Sequence, residues 1–212
     1  MFRCVLRFIF VAAFVGLAIT PRSHAQQVTL PTTEGDFVTE FVSAACELLA
    51  SAYGDEETVL LKDPRIGILA PLWHRALLAA GYRPIYVVPV RNPMEVARSL
   101  HARGDMTVRE GLALCLSYMK QIAAFADGYD DVVYVRFDEL FGDWRGQVSR
   151  IAERFGIRLD TRGREGEVDA FLEPALRRQV SDQAELDALP DEPDIVAARA
   201  AYRDALARCA RV

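Results

Sequence analysis

The spacing of apolar residues changes period several times along the chain, and each change marks an element. Residues 37, 38, 41, 42, 45, 48 and 49 are apolar, a helical period that predicts a helix from Asp36 to Tyr53. A short apolar run at 59–61 reads as a strand, 67–80 returns to a helical pattern, and Ile85 to Val90 reads as a second strand. Pro89 lacks a ladder donor, so that strand is expected to end irregularly or along an edge. Thr107-Val108-Arg109-Glu110 is a capping box opening a long helix, with apolar residues at 112, 115, 116, 119, 122 and 123, that runs to about Ala126. Val132 to Val135 is a third strand. Beyond Phe155 the chain turns helical and acidic, with 11 Asp/Glu against 5 Arg between 160 and 200, and a last helix is expected over 195–210. No repeat is present.

Strands alternating with helices imply right-handed crossovers and a parallel sheet covered on both faces, a three-layer α/β fold. Three strands are legible, and residues 15–20 supply a fourth if they stay with the chain; without them the sheet is incomplete at its N-terminus. At 212 residues, 51% hydrophobic and 26% charged, the chain is sized for one core, placed here at 36–212 behind a linker at 26–35.

Residues 1–25 have a second reading. Arg3 and Arg7 precede an apolar run from Phe8 to Ile19, and Ser23-His24-Ala25 resembles a cleavage site, so the segment is either a signal peptide or the product of a displaced start. The run is too short for a stable membrane span. Net charge is -5, and -8 without residues 1–25, which argues against nucleic-acid binding. Cysteines 4, 46, 115 and 209 have neither metal-ligand nor redox-motif spacing, so no metal and no disulfide framework are expected.

Positive charge is nevertheless concentrated: Lys62 to Arg103 carries one Lys and six Arg against Asp63 and Glu95. Two corners stand out in it. In Arg91-Asn92-Pro93-Met94-Glu95, Asn92 fits the N-cap, Pro93 the first helical position and Glu95 the third, where a carboxylate reaches back to the cap's own N–H. A helix start beside a guanidinium suits a phosphate or sulfate, and Ser99 lies on the same helical stripe. The other corner is Lys62-Asp63-Pro64-Arg65, which also follows a strand. Ligands of open α/β sheets bind outside the carboxyl ends of strands. His74 and His101, on helices without zinc-ligand spacing, read as structural, and Trp73, Tyr82, Tyr86 and Tyr134 read as packing residues.

Taken together, the Lys62–Arg65 loop followed by a helix with Trp73, the Arg91-Asn92-Pro93 to Ser99-Leu100 corner, and the Val132–Leu140 strand and turn resemble the bacterial sulfotransferases that use 3'-phosphoadenosine-5'-phosphosulfate (PAPS), including the carbohydrate and tyrosylprotein-like branches. The resemblance spans roughly residues 36 to 180. It implies a P-loop-NTPase-like sheet, and it implies that Arg91 and Ser99 grip the 3'-phosphate of PAPS. By the same resemblance Lys62 and Arg65 neutralise charge on the sulfuryl group in flight, and Asp63 is a candidate base for the acceptor, a small molecule, glycan or protein side chain. PAPS is cytosolic, so the resemblance implies a cytoplasmic protein, whereas a true signal peptide implies an exported one.

The family also carries an N-terminal Pro-Lys/Arg-Ser-Gly-Thr loop for the 5'-phosphosulfate. The nearest stretch here, Pro21-Arg22-Ser23-His24-Ala25, puts His24 where the glycine belongs. The alternative is therefore a degenerate or truncated relative that binds a 3'-phosphonucleotide or a partner without catalysis.

Overall fold

A computed structural model describes residues 16–21, 36–54, 56, 58–63, 65–104, 106–159, 161–172 and 179–210. The cleavage-site and loop residues 22–25, the linker and Cys4 lie outside them. In chain order the elements are β1 (Gly16–Pro21), α1 (Asp36–Tyr53), β2 (Val59–Lys62), α2 (Ile66–Ala79), β3 (Tyr82–Val90), α3 (Pro93–His101), α4 (Val108–Ala126), β4 (Val132–Arg136), α5 (Glu139–Phe155), α6 (Glu165–Phe171), α7 (Gln183–Asp187) and α8 (Pro193–Cys209). The sheet order is β2-β1-β3-β4.

The fold is mixed helix and sheet, as an α/β reading requires, but the sheet departs from the expected parallel one. β3 and β4 are parallel, with Tyr86 opposite Val132 and Val90 opposite Arg136. β1 supplies the fourth strand inside the signal-like segment and runs antiparallel to both of its neighbours, with Gly16 opposite Lys62 on one side and Val87 on the other. An isolated apolar run carries no mark of strand direction, which is set by the strands it pairs with. The β1 pairing ends at Val87, so among the described residues β3 is locally an edge at Pro89, where a missing ladder donor costs little.

Alternation along the strands separates two apolar faces. Val59 and Leu61 of β2, Tyr86, Val88 and Val90 of β3, and Val132 and Tyr134 of β4 join the cluster containing Leu49 of α1, Leu77 of α2, Leu112 and Ile122 of α4, and Tyr202 of α8. The opposite face, with Ile85, Val133 and Val135, packs on Ile151 and Phe155 of α5. Helices thus lie against both faces. Trp73 packs on Phe41 edge-on at 5.6 Å, which fixes α2 against α1. Tyr86 is 1% exposed, and its hydroxyl meets His74 Nδ1 at 2.7 Å, so this histidine is held in the packing rather than offered to a ligand.

Helix starts follow their local signals. Thr107 Oγ1 accepts from Glu110 N, and Glu110 Oε2 accepts from Thr107 N at 2.7 Å, completing the expected capping box. α4 then crosses α3 at Gly111, where an added Cβ would lie 2.9 Å from Ala97 Cα. Backbone on one side and helix on the other leave no flexible group to yield. Gly111→Ala gains about 1 kcal/mol of helix propensity but forces the two helices apart, and a net loss of about 1–2 kcal/mol in urea unfolding is expected. An unchanged or stabilised protein would refute this close approach.

Candidate functional site

β2 and β3 both run antiparallel to β1, and β4 runs parallel to β3, so all three leave the sheet at one edge. Lys62 ends β2, Arg91 follows β3 and Arg136 ends β4. Lys62 and Val87 flank Gly16 on opposite sides, two strand spacings or about 10 Å apart. The two basic corners expected from sequence therefore share an edge, with a third cation beside them.

At the first corner Asp63 and Arg65 engage each other fully. Asp63 Oδ1 accepts from Arg65 N and Nε, both at 2.8 Å, and Oδ2 accepts from Nη2 at 2.6 Å. The Arg65 side-chain hydrogen bonds hold the Asp63 carboxyl below the usual carboxylate range, against a smaller opposing effect of burial. A carboxylate so held is a weak proton acceptor. Its geometry favours orienting Arg65, whose side chain is 76% exposed and stands outward over the edge. Burial lowers the pKa of Lys62. At the third strand end, Arg136 pairs with Asp138 at 2.6 Å.

The second corner is buried. Arg91 has a side-chain exposure of 9%, and Glu95 is wholly enclosed. Arg91 Nε donates to Glu95 Oε2 at 2.8 Å, Nη2 faces Gln179 O at 3.4 Å, and the guanidinium carbon lies 4.7 Å from the Phe137 ring centroid. Nη1 has no hydrogen-bond partner among the described residues. Asn92 caps α3 as expected, accepting from Met94 N at 2.9 Å. The Glu95 carboxylate does work that the sequence did not predict: Oε2 takes Arg91, and Oε1 accepts from Ser181 N at 3.1 Å.

Residues 179–185 form a polar strap across this corner. Asn92 Nδ2 donates to Ser181 O and Asp182 O, while Arg98 donates to Ser181 Oγ at 2.8 Å and pairs with Glu185 at 2.7 Å. Ser99 stands one turn beyond Glu95 on the same side of α3, half-buried, its hydroxyl without a partner among the described residues. Nothing local predicts the strap, because it joins positions 83 to 90 residues apart, most of them through main-chain groups that carry no sequence signal. His101 Nδ1 lies 3.0 Å from Met106 O, closing the end of α3 as a structural histidine does.

Beside Arg91 a cavity of about 360 Å³ opens between α4, α8 and the ends of β3 and β4, lined by Val90, Met119, Lys120, Tyr134 and Arg208 among others. Arg208 is tied at its rim to Asp127 at 2.6 Å and Asp204 at 2.8 Å. Among the described residues no three His, Cys, Asp or Glu side chains are grouped to hold a metal, and no helix is long and apolar enough to cross a membrane. Burial pushes the Cys115 thiol up to about 12, which makes it a packing residue rather than a nucleophile. No family model, curated protein or solved structure matches this chain.

Proposed function

We propose that the chain is a sulfotransferase-type protein whose shared strand edge takes PAPS and passes its sulfuryl group to a hydroxyl or amine. The sheet then corresponds to part of a P-loop-like three-layer fold. The observation that carries the reading is Arg91: a nine-tenths-buried guanidinium at the mouth of a parallel strand pair, held by Glu95 and backed by Phe137, with Nη1 left over for an anion. Ser99, the second group that the resemblance assigns to the 3'-phosphate, lies on α3 one turn beyond Glu95, its hydroxyl without a partner among the described residues. In the transfer, sulfur leaves the donor's phosphate oxygen for the acceptor oxygen or nitrogen, which loses a proton, and adenosine 3',5'-bisphosphate departs. Lys62 and Arg65 balance the negative charge spread over the sulfuryl oxygens. Asp63 orients Arg65 in this scheme, since its carboxylate is already occupied.

Calorimetric titration with adenosine 3',5'-bisphosphate and with adenosine 5'-monophosphate tests the reading directly. Preference for the bisphosphate by roughly tenfold or more is expected, and Ser99→Ala should remove most of it, because a hydrogen bond to a charged group contributes about 1.5–3 kcal/mol. Arg91→Lys keeps a charge beside Glu95 but loses the planar fork, so it should weaken the bisphosphate and spare the monophosphate. Equal affinity for the two nucleotides in the unmodified protein would end the assignment. Transfer of label from PAPS to a phenol or sugar panel then separates a working enzyme from a relative that only binds.

A further inference from the structure

A cationic corner open to any anion would be filled by free phosphate or sulfate, which are small, abundant and need no pocket. This corner has a countermeasure built in. Glu95 is 0% exposed, its Oε2 lies 2.8 Å from Arg91 Nε, and its Oε1 lies 3.1 Å from the amide nitrogen of Ser181. The carboxylate therefore cancels the charge of the buried cation from the inside while leaving Nη1 as a directional donor. Arg98, the nearest further cation on α3, is itself committed to Glu185 and Ser181 Oγ. Within the Arg91–Glu95 pair, an incoming dianion meets one donor group, Nη1, and no net positive charge.

We infer that Glu95 is a specificity-determining residue that keeps free inorganic phosphate and sulfate off Arg91, so that only an anion carried by a larger ligand with further contacts is retained. This rests on the reading of Arg91 as a phosphate-binding residue. The physical reason is the balance of two terms. Hydrogen bonding through Nη1 is short-ranged and offered to every phosphate alike, whereas repulsion by an enclosed carboxylate a few ångströms behind the guanidinium is strong in a partly desolvated site. Free phosphate has no other contact with which to overcome that repulsion. A nucleotide adds its sugar and base.

The test compares Glu95→Gln with Glu95→Asp. Both disturb the packing of an enclosed side chain, but only the first removes the charge. Inorganic phosphate and sulfate are titrated against each folded variant by calorimetry, with chloride matching the ionic strength and circular dichroism verifying the fold. Phosphate should bind Glu95→Gln at least roughly tenfold more tightly than the unmodified protein, with no such gain in Glu95→Asp. The ratio of bisphosphate to phosphate affinity should fall in Glu95→Gln by a similar factor. Unchanged or weaker phosphate binding in Glu95→Gln overturns the inference.

Glu95→Gln places an amide N–H₂ against either the Arg91 Nε–H or the Ser181 N–H, so its folding is not assured. A second measurement uses the unmodified protein: the Arg91 Nε–H resonance is followed by NMR as phosphate is added. It should stay in place at millimolar phosphate, and a saturable shift there overturns the inference without any variant. Failure of the sulfotransferase reading shows up separately, as equal binding of the bisphosphate and the monophosphate, while the inorganic-phosphate comparison still scores Glu95.

Discussion

Arg91→Met should destabilise the protein by about 3–5 kcal/mol, because it takes the Arg91 guanidinium away from an enclosed carboxylate. Glu95 is 0% exposed and Arg91 9%, so solvent does not screen the pair as it screens the exposed ion pairs on this surface. Methionine matches the stem of arginine in length and keeps apolar contact with Phe137, which confines the loss to the charge and the hydrogen bonds to Glu95 and Gln179. The double variant Arg91→Met/Glu95→Leu should recover much of the loss, since a buried pair replaced whole by apolar groups is often close to neutral. It should still fall short of the parent by about 1–3 kcal/mol, because the Ser181 N–H that Glu95 now accepts is left bare. Urea unfolding of the parent, Arg91→Met, Glu95→Leu and the double variant gives the coupling energy, expected to be at least about 2 kcal/mol. A single-variant cost below about 1 kcal/mol, or a double variant no better than the single, would mean that water reaches Glu95 and that the corner is not sealed. The same result bears on function, because loss of nucleotide binding in any Arg91 variant has to be separated from loss of fold.

What the sequence made legible is what short-range rules govern. β2, β3 and β4 were expected at 59–61, 85–90 and 132–135 and lie at Val59–Lys62, Tyr82–Val90 and Val132–Arg136, because short apolar runs bounded by polar and turn residues admit few other readings. The Asn92 cap and the Thr107 capping box are closed by residues two and three positions away. The same local logic misassigned Glu95. Its spacing from Asn92 fits a capping box, but a cation one turn back and a main-chain amide 86 residues later both take its carboxylate. β1 was anticipated as a strand but not as an antiparallel one, since direction is a property of pairing and not of the run itself. The strap was invisible for a related reason. Of its tie points, Gln179, Ser181 and Asp182 act through carbonyls and an N–H that every residue possesses, and only Glu185 and the Ser181 hydroxyl contribute side chains.

That strap needs an anchor, and Arg199→Leu should show where it is. Arg199 reaches from α8 to the end of α7 and the turn that follows, where Nε donates to Leu186 O at 3.0 Å, Nη2 donates to Leu189 O, and Nη1 pairs with Asp191 at 2.6 Å. Its side chain is 10% exposed, and Leu186 beside it is wholly buried. Leucine restores none of the donors, so two carbonyls lose their partners in a place water reaches poorly, at a cost of about 2–4 kcal/mol. Arg145→Leu is the control for losing an arginine as such. Arg145 makes a two-pronged pair with Asp169 and covers the Trp144 ring at 4.4 Å, but the two paired side chains are 54% and 51% exposed. Removing it should cost under about 1 kcal/mol. In hydrogen exchange, Arg199→Leu should accelerate the amides of 181–188 well before those of α4, because α7, though capped by Asp182, is five residues long and too short to be stable as a helix by itself. If the two arginine variants prove equally stable, Arg199 is merely a surface cation that happens to be covered. If Arg199→Leu alone is destabilised while exchange at 181–188 stays at the parent rate, the strap is held by Asn92 and Glu95 from the α3 side, and the corner rather than α8 sets its position.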